Sequence, residues 1–223
     1  CGRQFEDWSA SYRLFERQRF LPDRLFAVPL QAVTEHLAPE APLVAVMDDT
    51  LFPKKGRRMS ATAWHHDPQG PFFAHQITWS QRAVELCAML PATTGGACSA
   101  RAVPVDLALQ PSRPKPSARA TEQQKQLYAR FRRETAIPNL AVKRVHALRD
   151  SLARSGQLQR QVLLAVDGGY TNKTLLANLP SRTALIGRLR KDAKLFAPPP
   201  ATVQPYPEAG PAMVDRAVEL LQR

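Results

Sequence analysis

Two short apolar runs in this chain each end in an aspartate. LVAVM (43–47) runs into Asp48 and Asp49, and QVLLAV (161–166) runs into Asp167. A continuous apolar run of this length, bounded by turn-forming residues, reads as a buried strand. A third such run, Ala184–Ile186, follows a short helical stretch that Thr171 can cap and that reaches about Leu179. Strands alternating with helices in this way belong to an α/β sheet, and the ends of its strands are where such a sheet presents functional side chains. A carboxylate closing an apolar strand is costly to bury alone, so it is paired, hydrogen-bonded or bound to a metal. If the two strands are neighbours, Asp49 and Asp167 can share Mg²⁺ or Mn²⁺, because hard cations prefer carboxylate oxygen. Two such ions stabilise the attacking and leaving oxygens of a phosphodiester displacement. Asp also opens turns and caps helices, and spacing alone leaves both roles open.

The rest of the chain fits around these strands. Residues 4–39 read as helical: Phe5, Trp8, Tyr12 and Phe15 share one helical face, Leu30, Val33 and Leu37 repeat the pattern, and Pro29 suits a first-turn position. Residues 51–60 form a basic loop, and four β-rich stretches follow at 62–64, 72–79, 84–90 and 101–109. A Pro-rich basic linker spans 110–119. Thr121 and Gln124 make a capping box that opens one helix, and Ala141, Val145, Leu148 and Leu152 line a second that Gly156 closes. Beyond Phe196 the composition changes to APPPATVQPYPEAGP, ahead of a short helical pattern over 212–222.

Charge narrows the function. Lys and Arg number 31 against 19 Asp and Glu, a net charge of +12. Residues 111–160 alone hold 12 Lys or Arg against 3 acids. Such an excess calls for a polyanionic partner, of which nucleic acid is the commonest. No apolar run approaches the roughly 18 residues that cross a bilayer, so no membrane partner is expected. The cysteines, Cys1, Cys87 and Cys98, are odd in number and without paired spacing, which fits a reducing compartment. Phosphoryl transfer on nucleic acid needs acidic metal ligands inside a basic surface, and this sequence supplies both.

The motifs themselves carry a resemblance. MDDTLFPKKG resembles the first-aspartate motif of DDE transposases, the bacterial insertion-sequence enzymes with an RNase H-like fold. LLAVDGGYTNKTLLANLPSRTALIGRLRKDAKL resembles their second-aspartate region, and CGRQFEDWSASYRLFERQRF their N-terminal helical region. The resemblance covers roughly residues 2–196. It implies an α/β fold: an RNase H-like mixed sheet flanked by helices, with a helical N-terminal segment (1–40), a catalytic core (41–196) and a Pro-rich divergent tail (197–223). It implies that Asp49 is the first catalytic, metal-binding carboxylate, with Asp48 the alternative, and that Asp167 is the second. The cofactor would be Mg²⁺ or Mn²⁺. Lys54, Lys55, Arg57, Arg58, Arg188, Arg190, Lys191 and Lys194 would contact DNA phosphates. The partners would be insertion-sequence ends and target DNA, with a homodimer when intact, in a bacterial cytoplasm at the nucleoid.

One departure bears on activity. The family's third carboxylate is a Glu on a later helix, whereas only Glu208 and Glu219 follow Asp167, neither in the family's context. The expectation is a C-terminally truncated, catalytically incomplete fragment with impaired or absent transposition. His65, His66 and His75 with Cys87 or Cys98 match no standard zinc spacing, and Gly168–Gly169 lacks the pattern of a phosphate-binding loop. The rival reading is a non-catalytic basic nucleic-acid-binding module whose aspartates are structural.

Overall fold

The computed structural model describes residues 21–56, 58–67, 70, 71, 73, 75–91 and 100–189. Helix α1 (Pro22–His36) leads into strand β1 (Leu43–Pro53). Strands β2 (Thr62–His66), β3 (Ile77–Pro91) and β4 (Ala100–Leu109) follow, then helices α2 (Glu122–Glu134) and α3 (Ile137–Arg154). Strand β5 (Val162–Val166), the short helix α4 (Lys173–Ala177) and strand β6 (Thr183–Gly187) complete the described chain.

The six strands form one mixed sheet in the order β2-β3-β1-β5-β6, with β4 also paired to β3. β1, β3 and β4 are antiparallel neighbours, while β1, β5 and β6 run parallel. This is the α/β arrangement of an RNase H-like fold: an antiparallel half and a parallel half that share β1.

The expected pairing of the two Asp-terminated strands is present. β1 and β5 are adjacent and parallel, in register from Leu43 opposite Val162 to Met47 opposite Val166. In β1 the side chains alternate between faces. Leu43, Ala45 and Met47 are buried, whereas Val46 and Asp48 are exposed. The buried row joins Val162, Leu164, Leu86 and Ala88 beneath α1 and α3. Ala141, Val145, Leu148 and Leu152 lie on the buried side of α3, as their spacing predicts. Truncating one of these leucines to alanine costs about 2–5 kcal/mol, the usual range for a filled core.

Local sequence explains the helix ends. Thr121 and Gln124 form the reciprocal capping box at the start of α2. Gly156 closes α3 at φ +77°, a left-handed conformation that glycine adopts without a Cβ clash.

Several boundaries differ from the sequence reading. α1 begins with Pro22 in its first turn and runs through Pro29, so Pro22 has the position expected for Pro29. β1 continues to Pro53, taking in residues expected in the basic loop. The stretches at 72–79 and 84–90 belong largely to one 15-residue strand, Ile77–Pro91. Its polar middle, Ser80–Arg82, stays in the ladder because β1 pairs with all three residues and β2 with Ser80 and Gln81. α4 is capped by Asn172, whose side chain accepts from the Leu175 N–H, rather than by Thr171. The aromatic stripe at Phe5–Phe15, the 212–222 pattern and the Pro-rich tail lie outside the described residues.

Not all of the positive charge is free for a partner. Arg149 is buried on α3, donating to the carbonyls of Arg160 and Leu158. Arg160 donates to Ala38 and Ala41, tying the chain ahead of β5 to the chain ahead of β1. Arg144 pairs with the buried Asp106 of β4. Three of the twelve cations between 111 and 160 thus hold the fold together.

Candidate active site

The parallel pairing delivers both aspartates to one end of the sheet. Asp49 comes two residues after Met47, and Asp167 one residue after its partner Val166. Both line a single open cleft of about 720 Å³. Asp48 and Asp49 are separated by strand alternation. Asp49 continues the row of Leu43, Ala45 and Met47 and reaches the cleft, whereas Asp48 is exposed, does not line the cleft, and accepts the Asp49 N–H on its Oδ1 (2.8 Å).

The two carboxylates are held by different means. Arg82 of β3 donates Nε to Asp49 Oδ2 at 2.6 Å, and the Tyr170 hydroxyl donates to Asp49 Oδ1 at 3.2 Å. Asp167 Oδ1 accepts the backbone N–H groups of Gly169 (2.9 Å) and Tyr170 (3.1 Å). Tyr170 therefore touches both: its backbone holds Asp167 and its hydroxyl holds Asp49. Tyr170 itself is buried in the core cluster. Burial, then the charge of Asp49, push its pKa well above the usual phenol value, so it remains a donor.

The turn after β5 is closely fitted. The position of a Gly187 Cβ falls on the Thr171 hydroxyl and close to Val166, so any side chain there would have to displace both. The carbonyl of Arg188 lies 3.3 Å from where a Gly168 Cβ would sit. Arg188 is thus beside the Asp167 turn, with its side chain exposed. Lys54, Lys55 and Arg58 follow β1, and Lys54 lies 5.8 Å over the Phe52 ring. None of these four cations lines the cleft. Arg57, Arg190, Lys191, Lys194, Glu208 and Glu219 lie outside the described residues.

Two cleft residues were not legible in the sequence as site residues: Arg82, in a polar stretch between two expected strands, and Tyr170, three residues past Asp167. His65 of β2 also lines the cleft. Burial, then Arg82, lower its pKa, while Asp49 works against that shift. The wider His/Cys set does not assemble: among the described residues no three His, Cys, Asp or Glu side chains are grouped to hold a metal.

A family model described as DDE superfamily endonuclease matches residues 7–216, nearly the whole chain. The chain belongs to this family. Membership of the DDE superfamily endonucleases brings transposase-type nuclease chemistry on DNA, with divalent metal ions in general use across the family. No curated protein and no solved structure matches the chain. Among the described residues of this DDE superfamily endonuclease no helix is long and apolar enough to cross a membrane.

The donor set suits the family's metal. Both cleft carboxylates offer hard oxygens, and among the described residues Asp167 Oδ2 has no hydrogen-bond partner, leaving one oxygen available to a cation. Asp49 is held by a cation and a hydroxyl, partners that a carboxylate in this cleft needs when no ion neutralises it.

Proposed function

We propose that this cleft is the catalytic site of a DNA transposase-type endonuclease, with Asp49 and Asp167 as its metal-binding carboxylates. The observation that carries this reading is the convergence of two aspartates from paired parallel strands on one cleft, linked through Tyr170. Bound Mg²⁺ or Mn²⁺ would supply positive charge at the scissile phosphate and a more acidic attacking water or hydroxyl. Tyr170 orients Asp49 through its hydroxyl and fixes the Asp167 turn through its backbone. Arg82 neutralises Asp49 until a cation takes its place. Lys54, Lys55, Arg57, Arg58, Arg188, Arg190, Lys191 and Lys194 hold the phosphates that flank the site. The DNA is insertion-sequence ends and target, the working assembly is a homodimer, and the site of action is the bacterial cytoplasm at the nucleoid.

Two carboxylates hold one hard cation loosely, and fixing two ions for in-line displacement takes more ligands. The 223-residue chain is therefore expected to bind Mg²⁺ or Mn²⁺ weakly and to give no strand transfer. The tests are Mn²⁺ binding by calorimetry and cleavage of a supercoiled donor plasmid carrying cognate ends, each run alongside Asp49→Ala and Asp167→Ala. Metal binding lost in both variants supports the assignment. Binding unchanged in both overturns it and favours the basic binding module. Robust cleavage that both variants abolish keeps the two aspartates, removes the claim of incompleteness, and makes Glu208→Gln and Glu219→Gln the next substitutions.

A further inference from the structure

Helix α2 has no buried residue, although it is 13 residues long and capped at its start. Isolated helices of this length are marginal in water, so α2 depends on local terms. These are the Thr121–Gln124 capping box, the Arg130–Glu134 ion pair at 2.7 Å, an acid in its first turn and arginines in its last. No face of it enters the core. Tyr128, Phe131, Arg132 and Thr135 fall at i, i+3, i+4 and i+7, and all four line the same cleft as Asp49 and Asp167. The linker ahead of the helix adds Arg113, whose guanidinium carbon sits 4.6 Å from the centre of the Phe131 ring. That linker is pinned across the cleft, because Ser112 Oγ donates to the Thr62 carbonyl of β2 at 2.7 Å. Gln110 Nε2 donates to the Thr135 carbonyl at the end of α2 at 2.9 Å. One wall of the cleft thus carries the two aspartates, with Arg82 against Asp49, and α2 with its linker forms an aromatic and basic wall opposite them.

We propose that the α2 wall is a binding site for unpaired nucleotides of the DNA strand being cut, with Tyr128 and the Arg113–Phe131 pair as stacking surfaces and Arg132 as a phosphate contact. This rests on the reading of the facing wall as the catalytic one and names the state of the DNA that reaches it. Within a duplex the base faces are already stacked on each other. Only unpaired bases offer a face to an aromatic ring or a guanidinium plane. The cleft, at about 720 Å³, falls in the roughly 300–1,000 Å³ range of small-ligand sites, enough to admit a short unpaired stretch. The chain's net charge of +12 favours the polyanion over an apolar peptide as occupant of this aromatic face.

The test is fluorescence anisotropy with the full 223-residue chain in EDTA, comparing a labelled oligo-dT with a random duplex of equal length. Phe131→Ala, Tyr128→Ala and Arg113→Lys are each expected to weaken single-strand binding about 5- to 150-fold, the span of one lost base stack. Duplex binding should change less than about twofold. Arg113→Lys keeps the charge and loses the plane, so wild-type single-strand affinity in that variant overturns the proposal. Equal losses on both DNAs also overturn it, since they mark α2 as a general electrostatic surface. Phe131→Tyr, which keeps the ring, should restore binding if Phe131→Ala loses it by stacking, and failure to restore it counts against the proposal. Because the assay excludes metal, these outcomes are independent of whether Asp49 and Asp167 bind an ion.

Discussion

Asp49 and Asp167 line the same cleft, yet the chain holds them in opposite ways. Asp49 is fixed by side chains from far along the sequence: Arg82, 33 residues on, and Tyr170, 121 residues on. Asp167 is fixed by backbone N–H groups two and three residues later. One carboxylate depends on tertiary packing and the other on a local turn. Damage to the sheet should therefore displace Asp49 first, and damage to the turn should displace Asp167 first. Tyr170 is where the two supports meet.

The largest expected effect ignores this difference. Asp49→Ala and Asp167→Ala should each lower any metal-dependent cleavage on the order of 10³-fold or more, because each removes one of the ligands proposed for the ion. An endpoint nuclease assay checks this wherever the wild-type chain cleaves, and full activity in either variant would show that its aspartate does not hold the ion.

Substitution at Gly187 strikes the Asp167 turn first. Gly187→Val drives a side chain into Thr171 and Val166. It should cost about 1–3 kcal/mol, as overpacking does, read as a lowered thermal midpoint. The Asp49–Arg82 pair lies outside the clash, so weakened metal binding in this variant reports on the Asp167 turn and on the Tyr170 bond to Asp49 that the turn carries.

Tyr170→Phe cuts the link itself. Loss of its bond to Asp49 should cost about 0.5–1.5 kcal/mol, typical of one hydrogen bond. A pH signature goes with it. The Tyr170 pKa is raised by burial and by Asp49, above the value of about 10 that an unfolded tyrosine has. The folded state thus holds this proton more tightly than the unfolded one. The contribution is complete below about pH 10 and declines as pH rises above it. Denaturant titrations at rising pH should show that decline in the wild type and its absence in Tyr170→Phe.

Arg82→Gln should have the smallest effect. The pair is about one-fifth to one-third exposed, at 21% for Asp49 and 34% for Arg82, and partly exposed pairs contribute about 1 kcal/mol or less. A loss of several kcal/mol on chemical denaturation would mean that Asp49 relies on Arg82 far more than this exposure implies. Tighter Mn²⁺ binding in Arg82→Gln, measured by calorimetry, would show the guanidinium competing with the ion.

How legible the site was follows the same division. Asp167 and its strand were readable because the signal is contiguous: an apolar run, an aspartate, two glycines. The β1–β5 pairing was readable because two apolar runs of matching length need each other. Arg82 was not, because Ser80–Arg82 looks like a turn between strands. It is polar where β3 passes the cleft, and only the pairing of Arg82 with Leu51 of β1 reveals it as strand. Tyr170 reads from sequence as one more turn residue, and its bond to Asp49 exists only after β1 and β5 meet. α2 was expected from its capping box, but the spacing of Tyr128 and Phe131 does not say what they face. Nothing local says that the surface it faces is an open cleft.

The sheet topology also bears on how the chain is made. β1 has both its neighbours only when β5 arrives, about 110 residues after Pro53 leaves the ribosome. In that interval, roughly 5–20 s at about 5–20 residues per second, β1 can pair with β3 but presents Leu43–Met47 as a bare edge. That stretch holds no lysine and no proline, the residues that ordinarily keep an exposed edge from recruiting a second chain. A nascent chain stalled between β4 and β5 is thus a template for association with its own copies, and release from that state comes with the strand that carries Asp167.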